Sequence, residues 1–402
     1  MISVAEARAR ILAGTAPVAA ETVALTDAWG RVLAAPVRSR VTQPPADLSA
    51  MDGYAVRAAE ANAGQALRVV GSAPAGQPYG AALHPGEAVR IFTGAYIPEG
   101  ADGILLQEDA RAEAGVVTAT DHVTPGRWVR RRGLDFAEGD TLLETGRRLT
   151  ARDVGLAAAA NHAFLSVRRR PRIAILATGD EIMLPGEPAR PAAIYSSNSF
   201  AIAAMVRAAG GEPSILPVAP DDRDAIAALV EGATGQDLLV TTGGASVGEH
   251  DLVREVLEGA GFTLDFWRIA MRPGKPLFHG RRGANGAVLG LPGNPVSAFV
   301  CGVLFLLPLL AALQGRADFA LPVLRYRLGT DLPANDQRED YLRASLSPSA
   351  DGVMEAHPAA RQDSSMLRVL AGAEALVMRA PHAPALPRGA EVEAISLAAL
   401  GL

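Results

Sequence analysis

Four stretches between Arg172 and Leu313 share one arrangement: an apolar strand ends, and a loop of Gly, Asp, Glu, Lys or Arg follows at once. They are RIAILATGDE (172–181), DLLVTTGGASVGEHD (237–251), TLDFWRIAMRPGKP (263–276) and AVLGLPGNPVSA (287–298). Their loops carry the carboxylates Asp180, Glu181, Glu249 and Asp251 and the cations Arg272 and Lys275. Carboxylate oxygens suit Mg²⁺, which also takes substrate phosphates as ligands. Arg offers a planar fork to an oxyanion and Lys a point charge. The combination suits a phosphate ester held with a divalent metal.

Each loop also has a plainer reading. Asp180 and Glu181 could cap a turn made by Gly179. Gly243 and Gly244 let a ligand approach the backbone, whose N–H groups can form an anion nest. No Lys-Ser/Thr pair follows them, so the loop is not a Walker A motif, and it is not G-x-G-x-x-G. Glu249 and Asp251 could bind metal or cap the next helix. Pro273 and Pro276 stiffen the loop of Arg272 and Lys275. Pro292 and Pro295 fix a turn that presents Asn294 and Ser297 at a helix start, where anions are favoured. Asp221 and Asp222 open a predicted helix and suit its dipole. In SAMDGYAV (49–56), Asp52 sits on a turn with Gly53.

Helical stretches separate the first three runs, which predicts parallel strands. Their loops then meet at one sheet edge, where open α/β folds bind ligands. The predicted helices are NSFAIAAMVRAAG, DDRDAIAALVEGA, DLVREVLEGA and PVSAFVCGVLFLLPLLAAL. This gives an α/β domain over 171–316. Residues 38–132 read as short strands broken by Gly and Pro, a β-rich domain. The flanks, 1–37 and 133–170, read as a helical and linker domain into which the β domain is inserted. Residues 317–402 alternate as a C-terminal β domain, a barrel or a sandwich.

The chain of 402 residues is too long for one ordinary core. A net charge of −5 provides no basic field for nucleic acid. One cysteine, Cys301, excludes an intrachain disulfide, and the seven histidines show no H-x-x-x-H pair. The apolar run Ala298–Leu313 is shorter than the roughly 20 residues of a membrane span and contains Pro308, so it reads as a buried helix. No signal-peptide pattern opens the chain. The expectation is a cytoplasmic enzyme without a membrane or nucleic-acid partner.

SAMDGYAV, TGAYIPEGAD, RRRGLD, ATGDE, TTGGASVGEHD, MRPGKP and LPGNPVSA stand in the order and spacing of the molybdopterin molybdenumtransferase family (bacterial MoeA), similar to the gephyrin E domain. The resemblance implies a multidomain α/β plus β protomer. Its centre is a three-layer α/β/α domain like molybdopterin adenylyltransferase, with an inserted β-rich domain and a C-terminal β-barrel-like domain. It implies a homodimer with an inter-subunit active site. The implied reaction is insertion of molybdate into adenylylated molybdopterin with release of AMP, and Mg²⁺ is the implied metal.

Carried over by motif, Asp52 and Thr93 line a cleft facing the partner subunit. Glu181, Asp221 and Asp251 are assigned to metal and phosphates. Arg272, Lys275, Ser297, Arg343, Ser364 and Ser365 form the implied molybdate set. Gly243, Gly244, Ser246, Pro292, Asn294 and Pro295 line the pterin and phosphate loops. Two positions depart from the family. Arg272 stands where many members have Lys, and Ser196 where members often have Asp. A non-catalytic pterin-binding scaffold and a pyrophosphate or nucleotide-sugar hydrolase are the competing readings.

Overall fold

The computed structural model describes residues 1–243, 252–283 and 286–402. Strand Ala20–Ala24 pairs antiparallel with Phe164–Arg168, and Val37–Arg38 with Thr141–Leu143. Leu33 and Val37 share one apolar cluster with Leu143, Leu149, Ala157 and Leu165. Segments on both sides of the β-rich region thus build a common core, so that region is an insertion. Thr150 and Asp153 form a capping box at the start of helix Ala151–Ala159. The insertion is a six-stranded sheet, reached through the short pair Leu48–Ser49 and Val129–Arg130.

The central sheet runs in the order 212–215, 172–177, 238–242, 286–291, 276–282, 263–268. The strands Arg172–Ala177, Leu238–Thr242 and Gly286–Leu291 are parallel. Strand Pro276–Arg282 was not foreseen: it runs antiparallel between Gly286–Leu291 and Thr263–Arg268. Two reversals restore the direction, so Thr263–Arg268 still points its C-terminal end to the shared edge. Strand Glu212–Ile215 is a further addition, at the far side of the sheet.

Alternation along Arg172–Ala177 builds the two cores. Ile173 and Ile175 pack with Ile202, Met205 and Leu304, whereas Ala174 and Leu176 pack with Ile226, Val230 and Val253. The run Pro295–Leu313 is one apolar helix, with 89% of its most apolar window buried inside the protein. Pro308 does not end it. A π-helical segment, Gly302–Leu306, precedes the proline and accommodates the missing N–H.

Helix Val4–Leu12 sits with this domain rather than with the linker domain assigned to 1–37. Its buried residues Val4, Ala7 and Ile11 join the cluster of Leu304 and Leu310. Arg281 donates to the carbonyls of Ile11, Ala13 and Gly14 at 3.3, 2.6 and 2.8 Å, satisfying the helix C-terminus. The C-terminal domain closes into a five-stranded barrel, because Glu339–Pro348 pairs with both Met354–Pro358 and Ala375–Arg379.

Candidate active site

The loops after the parallel strands pack backbone to backbone. Gly179 has φ +137° and donates its N–H to Ala219 O at 3.1 Å. A Cβ there would lie 2.6 Å from Glu181 Oε2, so glycine lets that carboxylate fold back over the turn. Gly243 has φ +92°, and its Cβ would stand 2.8 Å from Thr178 O. Residues 244–251 lie outside the described residues, and with them Gly244, Ser246, Glu249, His250 and Asp251.

The acidic residues divide their work. Asp222 caps helix Arg223–Gly232 by accepting from Ala225 N at 2.8 Å. Asp180 Oδ1 accepts from Asp221 N at 3.1 Å, which draws the TGDE turn to the start of that helix. Glu181 and Asp221 are both exposed on the segments this contact joins. Among the described residues no group of three or more Asp, Glu, His or Cys side chains is close enough to hold an ion alone. Two oxygen-bearing groups beside open space fit Mg²⁺ only as a partner of substrate phosphates.

Asn198 is a residue that the motif reading passed over. Its Nδ2 donates to Thr242 Oγ1 and to Gly293 O, both at 2.7 Å. It therefore straps together the loops after Leu238–Thr242 and Gly286–Leu291. Its signal in the sequence was an amide at a predicted helix start. Ser196 is buried and donates to Ser199 Oγ at 3.3 Å, so it serves the packing of this helix start.

The C-terminal barrel supplies the other wall. Asn294 Nδ2 donates to Ser364 Oγ at 3.0 Å, and Val296 N donates to Ser364 O at 3.1 Å. Pro292 and Ser297 are buried, and Pro295 is the first residue of the helix Pro295–Cys301. Ser365 donates its hydroxyl and its amide to Asp363 Oδ1 at 2.6 and 2.9 Å. The Ser365 hydroxyl, then its amide, holds the Asp363 carboxyl below its usual range.

Both arginines of the implied oxyanion set have protein partners. Arg343 is 1% exposed and donates to Gln362 Oε1 and Asp363 O at 3.0 and 2.9 Å, so it shapes the turn carrying Ser364. Burial lowers its pKa from the ordinary guanidinium value. Arg272 forms a two-pronged ion pair with Asp340. Lys275 is exposed, and it is the only lysine in the chain, a signal the sequence carried openly. Gly274 lies against Cys301, where a Cβ would stand 2.5 Å from Sγ.

Asp52 and Thr93 stand apart at the tip of the β domain. Thr93 donates its N–H and hydroxyl to Asp52 Oδ1 at 2.7 and 2.8 Å. The amide, then the hydroxyl, keeps this carboxyl below its ordinary pKa. Arg90 lies over the Tyr54 and Phe92 rings at 5.1 and 4.9 Å beside them. Among the described residues no hydrogen bond or ion pair links Asp52 or Thr93 to the α/β loops of the same protomer.

Residues 2–161 match the family described as MoeA N-terminal region (domain I and II), residues 174–312 a probable molybdopterin binding domain, and residues 325–397 the MoeA C-terminal region (domain IV). The molybdopterin molybdenumtransferase of Nostoc sp. is 38% identical over 354 residues, covering 86% of this chain and 81% of that protein. The chain belongs to the molybdopterin molybdenumtransferase family. The Haemophilus influenzae member is 36% identical over 325 residues, with 80% of each chain covered. A MoeA crystal structure from Pyrococcus horikosii superposes with a TM-score of 0.84 at 30% identity, covering 98% of this chain and 99% of that one. The superposition spans the insertion, the α/β domain and the barrel together, so the family's architecture holds throughout.

Proposed function

We propose that this protein inserts molybdate into adenylylated molybdopterin and releases AMP, completing the molybdenum cofactor. The observation that carries the reading is that Glu181, Asp221 and the chain's one lysine are all exposed on loops following the C-terminal ends of central-sheet strands, in a chain of this family. The glycine turns at Gly179 and Gly243 let Glu181 fold back over its turn and let the loop after Leu238–Thr242 close on Thr178. Lys275 offers a positive charge to the tetrahedral molybdate dianion. Ser297, Ser364 and Ser365 are the proposed hydroxyl donors around it. Glu181 and Asp221, with Asp251, would hold Mg²⁺ against the phosphates. The ion would polarise the phosphoanhydride.

Asp52 acts as a carboxylate, because Thr93 stabilises its ionised form. It therefore accepts hydrogen bonds rather than donating a proton. Cys301 is no nucleophile, since it is buried and burial pushes its thiol far up. The transfer proceeds by direct attack of molybdate oxygen or water on the adenylate phosphate.

A homodimer is part of the reading. The Asp52 tip exposes Met51, Phe92 and Trp128, and the α/β edge exposes Leu184, Ile194, Tyr195 and Phe200. Two apolar patches, each flanking part of the acidic set, support a shared inter-subunit site.

The test is AMP release from adenylylated molybdopterin with molybdate and Mg²⁺. Asp52→Ala and Glu181→Ala should each abolish it, and mixed dimers of the two variants should regain it at their one intact site. Release that survives both substitutions overturns the assignment. Mixed dimers that stay inactive count against the shared site.

A further inference from the structure

The loop that carries Lys275 is built into the C-terminal barrel. Met271–Arg272 runs parallel to Glu339 and Asp340 as an extra strand of the barrel sheet, and Glu339 N donates to Ala270 O at 2.8 Å. Arg272 Nε donates to Asp340 Oδ1 at 2.9 Å, and Nη2 bonds Oδ2 of the same carboxylate. Weaker contacts run from Arg272 to Asp336 at 3.5 Å and Asn335 at 3.4 Å. The Asp340 side chain is 4% exposed and that of Arg272 45%. A carboxylate this deeply buried requires a charged partner, and only Arg can meet both oxygens with one planar fork.

The rest of the loop has little freedom. Gly274 is pressed on Cys301, and Lys275 O accepts from Ile269 N at 2.9 Å. Lys275 follows directly, exposed, with no ion-pair partner among the described residues. Its neighbouring cation at 272 is neutralised from the barrel side.

We propose that Asp340 is a positioning residue: by holding Arg272 in a two-pronged pair it sets the pose of the 271–275 loop and leaves Lys275 as the free charge that meets molybdate. This rests on the molybdenum-insertion reading above. Arg at 272 is the half of the pair that can bridge a carboxylate bidentately. The barrel domain then acts on the reaction without touching substrate at this point.

The experiment compares Asp340→Asn, Arg272→Lys and the double variant in the full-length protein. Asp340→Asn should raise the molybdate KM roughly ten- to a hundredfold, because a displaced charge binds poorly. The kcat for AMP release should stay within about threefold, the pattern of lost binding rather than lost chemistry. Arg272→Lys keeps a cation beside Asp340 and should move KM the same way by less. The double variant should add little to the larger single effect.

A second readout needs no turnover. Lys275 is the only lysine, so an amine-selective acylating reagent reports on one side chain by peptide mass spectrometry. The rate of its labelling at fixed pH should change in Asp340→Asn relative to the parent protein without substrate. A fall in the molybdate KM would overturn the proposal, because it would mean that freed Arg272 binds the oxyanion itself. Additive effects, or unchanged labelling and KM, would overturn it too. A parent protein that releases no AMP would sink the functional reading alone, since the labelling comparison still tests Asp340. If Asp340→Asn fails to fold, the molybdate KM of Arg272→Lys decides by the same criterion, without labelling, because that substitution adds a second lysine.

Discussion

The two edges of the central sheet differ in an instructive way. A cavity of about 570 Å³ opens at the edge where the strands begin, between Pro17, Asp237 and Arg282. Its polar groups are already engaged. Arg169 forks onto Asp237 at 2.7 and 2.6 Å, Arg281 caps the first helix, and Arg282 lies 5.0 Å over the Phe262 ring. The opposite edge exposes Glu181, Asp221 and Lys275. Unspent charge, not volume, marks the chemical end. A helix and its capping arginine occupy one end, whereas straps such as Asn198 hold the other open.

Lys275→Ala should widen the contrast most. AMP release should fall by about a hundredfold or more, the scale of removing a preorganised charge from a site. Arg282→Ala at the other edge should leave it within about twofold, and equal losses would erase the distinction between the edges. Steady-state release measured on both variants decides.

Strand Pro276–Arg282 links the two edges and carries a buried titrating group. His279 is 5% exposed, and burial, with the nearby Arg281 charge, lowers its pKa to about 4. The unfolded chain takes up this proton near pH 6.5 while the folded one does not. Stability should therefore be full above about pH 6.5 and decline as pH falls towards 4, by on the order of 3 kcal/mol. His279→Gln should flatten that slope in denaturant unfolding followed across the range. An unchanged slope would remove this residue from the account.

Asn198→Ala should cost about 1–2 kcal/mol of stability, because it leaves Thr242 and Gly293 short of a donor. It should also weaken AMP release, since two site loops lose their strap. The smallest effect belongs to the cavity edge. Asp237→Ala should lower stability by about 1 kcal/mol and leave AMP release intact, the pair being only partly buried. Thermal unfolding together with turnover separates these two variants. Loss of turnover in Asp237→Ala would mean that the edges are coupled.

Much of this organisation was legible along the chain. Strand-then-loop runs, turn glycines and capping residues act over a few positions, so their spacing alone predicts the local geometry. That is why the α/β domain, the insertion and the loops of Asp52, Glu181 and Lys275 could be read without coordinates. The solitary lysine was equally open to view. What folding alone decided lies between distant positions. Arg272 meets Asp340 across 68 residues and Asn294 meets Ser364 across 70, and those encounters tie the implied oxyanion residues to distant segments. The antiparallel strand 276–282 and the docking of helix Val4–Leu12 belong to the same class. A side chain's partner is chosen by which surfaces pack together, and pattern within one segment carries no record of the surface it will meet.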